Sequence, residues 1–292
     1  MAARSKKPEV SVIIPTYNRA WVLKEAIDSV LAQDFKDFEL IVVDDGSTDN
    51  TEKIIDSYDQ DLIFIRQTNR GVSAARNRGI AAAAGRLIAF LDSDDLWLPR
   101  KLSSQIDFFN SNPAAVINQT EELWIRNGVR VNPKNRHQKF SGMIFERSLA
   151  LCLVSPSAVM MKRSLFDEVG LFDEDMPACE DYDLWLRISW RYPVHLIETP
   201  LIIKRAGHAD QLSKAPGLDK FRIQALIKVI ESGHLEQEAY RAAVRTLQEK
   251  CTIFAGGCRK RGKDAEAKHY EELAGRYRGQ VTDNRGQKTE DR

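Results

Sequence analysis

The sequence predicts an α/β fold, a mixed and mostly parallel sheet flanked by helices, and three observations carry that expectation. Short, β-branched apolar runs recur through the N-terminal third, at Val10–Ile14, Phe38–Val43, Leu62–Ile65 and Leu87–Leu91. Between them lie segments with helical apolar spacing or alanine-rich composition. The apolar runs end in polar or acidic residues, which gathers such side chains at the carboxyl edge of the sheet, where α/β folds bind ligands.

Each element has its own signal. Pro15 stops the first strand, and Leu23, Ile27, Val30 and Leu31 follow at i, i+4, i+7 and i+8. Asp44-Asp45-Gly46 stops the second strand. Ser47-Thr48-Asp49 offers N-cap residues for a helix through Ile54, Ile55 and Tyr58. The helix after the third strand spans about Ser73 to Ala84, with Gly85 as a natural C′ residue. The fourth strand runs into Asp92-Ser93-Asp94-Asp95. Beyond Asn112-Pro113 strands are expected at Ala115–Ile117, Leu123–Ile125 and Ser157–Met161, with Asn127-Gly128 as a hairpin turn before Val129 and Val131. Asp181–Arg191 reads as a helix and Val194–Ile203 as extended chain. Three helical segments follow from Pro216 to Arg278, with Leu226, Val229 and Ile230 in one stripe. The polar tail 279–292 is expected to be disordered.

Composition excludes several classes. The 292 residues are 43% hydrophobic and 29% charged with a formal net charge of +1, so the chain lacks the footprint of a nucleic-acid binder. The charge is uneven: residues 1–213 are net negative, whereas residues 214–292 are net positive. The basic peak at Arg259–Lys263 reads as a solvated helix end, or as a patch for anionic lipid or an acidic partner. No h-region opens the sequence, and no run reaches the roughly 18 apolar residues of a membrane span. Cys152, Cys179, Cys251 and Cys258 show no C-x-x-C spacing, which points to a reducing, cytoplasmic setting.

Three acidic clusters draw attention. Asp92-Ser93-Asp94 places alternating carboxylates at a strand end, where they can offer oxygen donors to one hard cation. Aspartates also serve turns and caps, so the cluster alone does not decide between the roles. Asp44-Asp45 at a neighbouring strand end favours function, because two acidic ends at one edge are costly unless cations or donors answer them. Glu180-Asp181 reads as a capping pair or as an acid/base site, and the two roles are compatible.

The blocks Val10–Arg19, Val42–Asp49, Gly71–Gly79, Phe90–Asp95 and Glu180–Arg187 resemble, in this order, the motifs of family 2 inverting glycosyltransferases, which have the GT-A fold. The resemblance spans about residues 9–188. It implies a Rossmann-like nucleotide-sugar-binding half over 9–112 and an acceptor-binding and catalytic half over 113–213; the helical C-terminal region over 214–278 lies beyond it. Pro15, Thr16, Tyr17, Asn18, Arg19, Asp44, Asp45, Arg76, Asp92 and Ser93 match nucleotide-binding positions. Asp94, Asp92 and His208 match positions toward a divalent metal, Mn2+ or Mg2+. Asp181 matches the catalytic base, with Glu180 as its neighbour. Arg76, placed in the first turn of its helix, is expected to reach a diphosphate.

The implied activity moves a sugar from a nucleoside diphosphate donor, UDP above other nucleotides, to a hydroxyl of a glycan, lipid-linked or protein acceptor. The implied setting is surface polysaccharide or glycoconjugate synthesis in the cytoplasm or at the inner face of the membrane. The apolar stripes after Pro216 leave a second subunit open. A nucleotidyltransferase would want a glycine-rich loop where Pro15–Arg19 stands, and a receiver domain would be shorter. A non-catalytic nucleotide-sugar-binding relative remains the alternative, against which stands the presence of every expected carboxylate.

Overall fold

The computed structural model of the chain describes residues 7–58, 62–207 and 217–282. The alternating pattern of the first half folds into β1 (Val10–Thr16), α1 (Ala20–Leu31), β2 (Phe38–Asp44), α2 (Thr51–Ile55), β3 (Ile63–Arg66), α3 (Val72–Ala82) and β4 (Leu87–Phe90). These strands lie in the order β3-β2-β1-β4, all parallel. β1 and β4 are buried along their whole length, which is why they read as continuous apolar runs without alternation. Their register sets Thr16 beside Asp44 and Asp44 beside Arg66, so the polar strand ends share one edge.

Two glycines fix how closely α3 and the turn after it approach β1. A Cβ on Gly79 would sit 2.5 Å from the Ile13 side chain. Gly85 does not close α3, which ends at Ala82; a Cβ there would sit 2.6 Å from the Ser11 backbone nitrogen. The glycine expected as a helix cap is therefore a contact residue. At α2, Asn50 holds the cap position, and Asp49 accepts from the Thr51 N–H at 3.0 Å.

The second half adds β5 (Leu96–Trp97), α4 (Lys101–Ser111), β6 (Ile117–Arg126), β7 (Val129–Val131), α5 (Phe145–Ala150), β8 (Val159–Lys162), α6 (Leu165–Val169), α7 (Glu180–Ser189) and β9 (His195–Ala206). β8 is antiparallel to both β4 and β6, β9 runs parallel to β6, and β5 closes the far edge. The two strands expected near 115 and 125 are one long strand, β6. Register shifts between Thr120 and Glu122 bend it. Asn127 and Gly128 both take positive φ, 50° and 77°, as a type I′ turn into β7 requires.

The C-terminal helices are α8 (Leu218–Glu231), α9 (Gln237–Arg259) and α10 (Asp264–Thr282), the last running past the expected limit at residue 278. Their apolar stripes form a second core, in which Leu226, Val229, Leu247 and Tyr270 meet Tyr182 and Leu186 of α7. The opposite face of α7, through Leu184, Trp185 and Ile188, joins the core beneath the sheet with Ile13, Ile88 and Phe90. Among the described residues no helix is long and apolar enough to cross a membrane. All four cysteines are free thiols.

Candidate active site

The parallel strands deliver their ends to one edge. After β1, the Thr16 carbonyl accepts from the Asp45 N–H at 2.9 Å, which extends the pairing with β2 by one residue. Tyr17 follows with its side chain 45% exposed, so the ring is not core and lies open for stacking. Asn18 adopts φ 51°. Its N–H donates to Ser47 Oγ and its Oδ1 accepts from the Thr48 N–H, each at 2.8 Å, so it ties the loops after β1 and β2 together. Arg19 is the cap residue of α1.

The acidic pair after β2 is answered by protein donors. Asp44 is buried, accepts from the Ser47 N–H at 2.9 Å and lies 3.6 Å from Arg66 Nε. Asp45 accepts from Gln67 Nε2 at 2.8 Å, the Arg70 N–H at 2.9 Å and the Gly71 N–H at 2.8 Å. It thereby shapes the loop that leads into α3. Gly46 has φ 81° and packs against that loop, where a Cβ would come 2.9 Å from the Asn69 nitrogen. A carboxylate oxygen can accept two hydrogen bonds, so Asp45 Oδ2 retains capacity for a base N–H.

The acidic run after β4 is clamped from both sides. The Asp92 N–H donates to Ser157 Oγ at 3.1 Å, and Ser157 Oγ donates in turn to Asp95 Oδ2 at 2.6 Å. Asp95 Oδ1 accepts from the Arg205 N–H at 2.9 Å, and Arg205 Nε also donates to the Asp94 carbonyl. Burial, with Asp94 and Asp92 nearby, pushes the Asp95 carboxyl well above the usual range. Asp95 is thus the anchor of the run, while Ser93 is buried and Asp92 and Asp94 are half-buried on its outer side.

Arg76 joins this run to α7. It belongs to the second turn of α3, not the first, and its side chain is buried. Its two terminal nitrogens donate to Glu180 Oε1 at 2.6 Å and to Asp92 Oδ1 at 2.8 Å. The guanidinium thus forms a double carboxylate bridge. Burial opposes the Arg76 charge, yet Asp92 and Glu180 raise its pKa further. Burial and neighbouring Asp181 push Glu180 up while Arg76 pulls it down; at 2.6 Å the pair stays charged. Asn77 extends the link, since its Nδ2 donates to the Phe172 carbonyl at 2.9 Å and its Oδ1 accepts from the Phe172 N–H at 3.1 Å.

Glu180 and Asp181 occupy the first two positions of α7. The cap position is Cys179, which sits in the left-handed region at φ 62° and makes no side-chain cap bond. Capping is therefore not their role. Asp181 is half-buried; its Oδ1 accepts from the Tyr182 N–H at 2.7 Å, and Cys152 Sγ lies 3.6 Å from its Oδ2. Arg76 fixes Glu180, whereas Asp181 is engaged by no ion pair among the described residues.

Sequence reasoning passed over Lys204, which stands in β9 beside the acidic run. Burial works against its charge, yet Glu122, Asp95 and Asp92 hold its pKa above the ordinary value. Glu122 also pairs with Lys139 at 2.8 Å and accepts from Trp124 Nε1 at 2.9 Å. An isolated lysine in an apolar strand carries no motif, and only the strand order reveals these neighbours. His208, expected near the metal, lies outside the described residues.

Among the described residues no group of three or more His, Cys, Asp and Glu side chains is placed to hold a metal ion. Asp92 and Asp94 nevertheless fit a hard cation of the magnesium type, which needs one or two carboxylates and takes its other oxygens from substrate phosphates and water.

The family model described as Glycosyl transferase family 2 matches residues 11–170. The chain belongs to this family. It is 35% identical over 231 residues to an uncharacterised glycosyltransferase of Rickettsia conorii, covering 73% of this chain and 37% of that relative. The chain thus spans little more than a third of that protein's length. It is 34% identical over 181 residues to the UDP-Glc:alpha-D-GlcNAc-diphosphoundecaprenol beta-1,3-glucosyltransferase WfgD of Escherichia coli, covering 61% of this chain and 69% of WfgD. The fold resembles that of S. aureus TarS 1-349 in complex with UDP-GlcNAc, with a TM-score of 0.67 at 22% identity, over 84% of this chain and 72% of that one. It also resembles the mannosyltransferase PcManGT of Pyrobaculum calidifontis in complex with GDP-Man and Mn2+, with a TM-score of 0.57 at 20% identity, over 95% and 84% of the two chains. The GT-A fold of this family 2 glycosyltransferase accounts for the curled mixed sheet. The family match ends at residue 170, before α7.

Proposed function

We propose that the chain is an inverting, metal-dependent glycosyltransferase that moves a sugar from a UDP-linked donor to an acceptor hydroxyl in surface glycan synthesis. The carrying observation is the bridge in which Arg76 holds Asp92 with one nitrogen and Glu180 with the other. It ties the acidic run after β4 to the first turn of α7, which supports the reading that Asp181 works beside the donor's diphosphate end.

In this reading the nucleotide lies across the ends of β1 and β2, with the Tyr17 ring stacked on the base and Asp45 accepting its N–H. Asp92 and Asp94 hold Mn2+ or Mg2+, which when bound neutralises the charge of the departing diphosphate. Asp181 takes the proton from the attacking hydroxyl, and one in-line displacement inverts the anomeric carbon. Arg76 keeps Glu180 from competing for that proton. The UDP-GlcNAc complex of TarS supports a UDP-linked donor, and the Mn2+ complex of PcManGT supports the metal. The lipid-linked acceptor that gives WfgD its name supports work at the inner face of the membrane.

A thermal-shift screen of nucleoside diphosphates and their sugars, with and without Mn2+, tests the donor class. A ligand at about 100 times its Kd stabilises by about 2.7 kcal/mol, enough to rank the nucleotides. UDP with Mn2+ is expected to raise Tm most. If no nucleotide raises it, the reading fails.

A further inference from the structure

The acceptor half holds a second concentration of charge, away from the end of β4. A cleft of about 500 Å3 is lined by Arg136, Arg147 and Arg222 together with Phe140, Leu151 and Leu153. The segment that lines it also reaches the proposed base: between Leu151 and Leu153 stands Cys152, whose Sγ is 3.6 Å from Asp181 Oδ2. Arg222 stands in the first turns of α8, whose start reaches the same place: Cys179 Sγ, at the cap position of α7, lies 3.7 Å from the Leu218 carbonyl.

The positive charge of this cleft is incompletely answered. Asp219 accepts from Arg222 at 3.0 Å and is shared with Lys250 at 3.8 Å. Arg222 Nε is buried without a partner among the described residues. Arg147 lies 4.2 Å over the Phe140 ring, and neither Arg147 nor Arg136 meets a carboxylate among the described residues. The field extends to His137, whose imidazole is held below its ordinary pKa by burial and by Arg136, Lys204 and Lys134. Guanidinium forks match phosphate oxygens in pairs, and a cleft lined by one sign of charge concentrates their field.

We propose that this cleft is an anion subsite of the acceptor site, which takes a phosphate or diphosphate group attached to the sugar whose hydroxyl Asp181 deprotonates. The inference rests on the reading of Asp181 as the base. The donor diphosphate is answered after β4, so the arginines serve a different anion. Phosphate of this kind occurs on lipid-linked sugars and on polyol phosphate polymers alike; the apolar side of the cleft, Phe140 with Leu151 and Leu153, would contact whatever follows the phosphate.

The test uses the full chain saturated with UDP and Mn2+, which removes the donor site from the measurement. Titration calorimetry then compares N-acetylglucosamine 1-phosphate with N-acetylglucosamine. The phosphate is expected to tighten binding by at least about tenfold, the scale of a charged hydrogen bond. The double variant Arg136→Ala/Arg147→Ala should lose that gain while its UDP affinity and Tm stay unchanged, since both side chains are exposed. Geranyl diphosphate binding more tightly than glycerol 3-phosphate assigns a lipid-borne source, and equal binding assigns a polyol phosphate; either outcome keeps the subsite. Equal affinity for the two sugars, or an undiminished gain in the double variant, overturns it. Failure of UDP to bind at the first step instead overturns the donor reading, and the two failures are thereby distinct.

Discussion

Arg76 and Glu180, 104 residues apart in the sequence, meet at 2.6 Å in the interior of the protein. Arg76 is nearly inaccessible, with a side chain 4% exposed, and Glu180 is 7% exposed. Breaking such a pair from one side leaves a buried charge unanswered, which costs about 3–5 kcal/mol. Arg76→Ala is expected to lose that much in urea unfolding. The double variant Arg76→Ala/Glu180→Gln should recover part of it; no recovery would mean that the guanidinium stabilises through its packing on the Phe172 ring, whose centroid lies 5.1 Å away, instead.

Asp181→Asn keeps the shape of the side chain and removes the base. Transfer to a verified acceptor should fall by about 10²–10⁴-fold with donor affinity unchanged. Near-normal turnover would move the assignment to Glu180.

Asp94→Asn removes a proposed metal ligand on the loop after β4. Calorimetry of UDP in Mn2+ and in EDTA should show a large metal effect in the parent and a much reduced one in the variant. Equal affinities in the parent, with and without metal, would remove the cation from the mechanism.

Glu122 links Lys139 and Lys204, and despite its burial these charges hold its pKa down at about 2. A carboxyl depressed in the folded state gives stability that is present above its ordinary value of about 4.3 and is lost as pH falls through about 2. About 3 kcal/mol is the upper limit, because burial also holds Lys139 below its ordinary value. Glu122→Gln should flatten the acid limb of a stability-against-pH curve measured between these values. An unchanged limb would refute the pairing as a source of stability.

Gly79 and Gly256 form a matched pair of helical glycines. A Cβ on Gly79 meets Ile13 at 2.5 Å, whereas one on Gly256 meets nothing within 4 Å. Gly79→Ala should therefore cost about 1–3 kcal/mol by overpacking, and Gly256→Ala should gain about 0.4–1 kcal/mol. Melting curves decide both signs.

What was legible in the sequence followed local patterns. The runs Val10–Ile14 and Leu87–Leu91 became β1 and β4 with their polar ends at one edge, and Asn127-Gly128 became the hairpin into β7. What was hidden depended on partners distant along the chain. Arg76 reads as a surface charge or a phosphate ligand until Glu180 is brought to it by the packing of α7 beneath the sheet. Asp95 reads as one more acid in a run until β9 delivers the Arg205 N–H. Gly85 reads as a helix cap because a cap needs glycine, but so does close approach to a strand. The merging of two short strands into β6 was hidden by its bend at Thr120–Glu122, where the alternation slips.

α7 presents Leu184, Trp185 and Ile188 to the core beneath the sheet and Tyr182 and Leu186 to the helical core. The helix that carries Glu180 and Asp181 is consequently a party wall between two rooms, and neither can be emptied without exposing it. Its amide hydrogens past the first turn should exchange with solvent at the rate set by whichever core opens first. The C-terminal helices thereby bear on the proposed base from behind: they hold the back of the wall on which it is mounted.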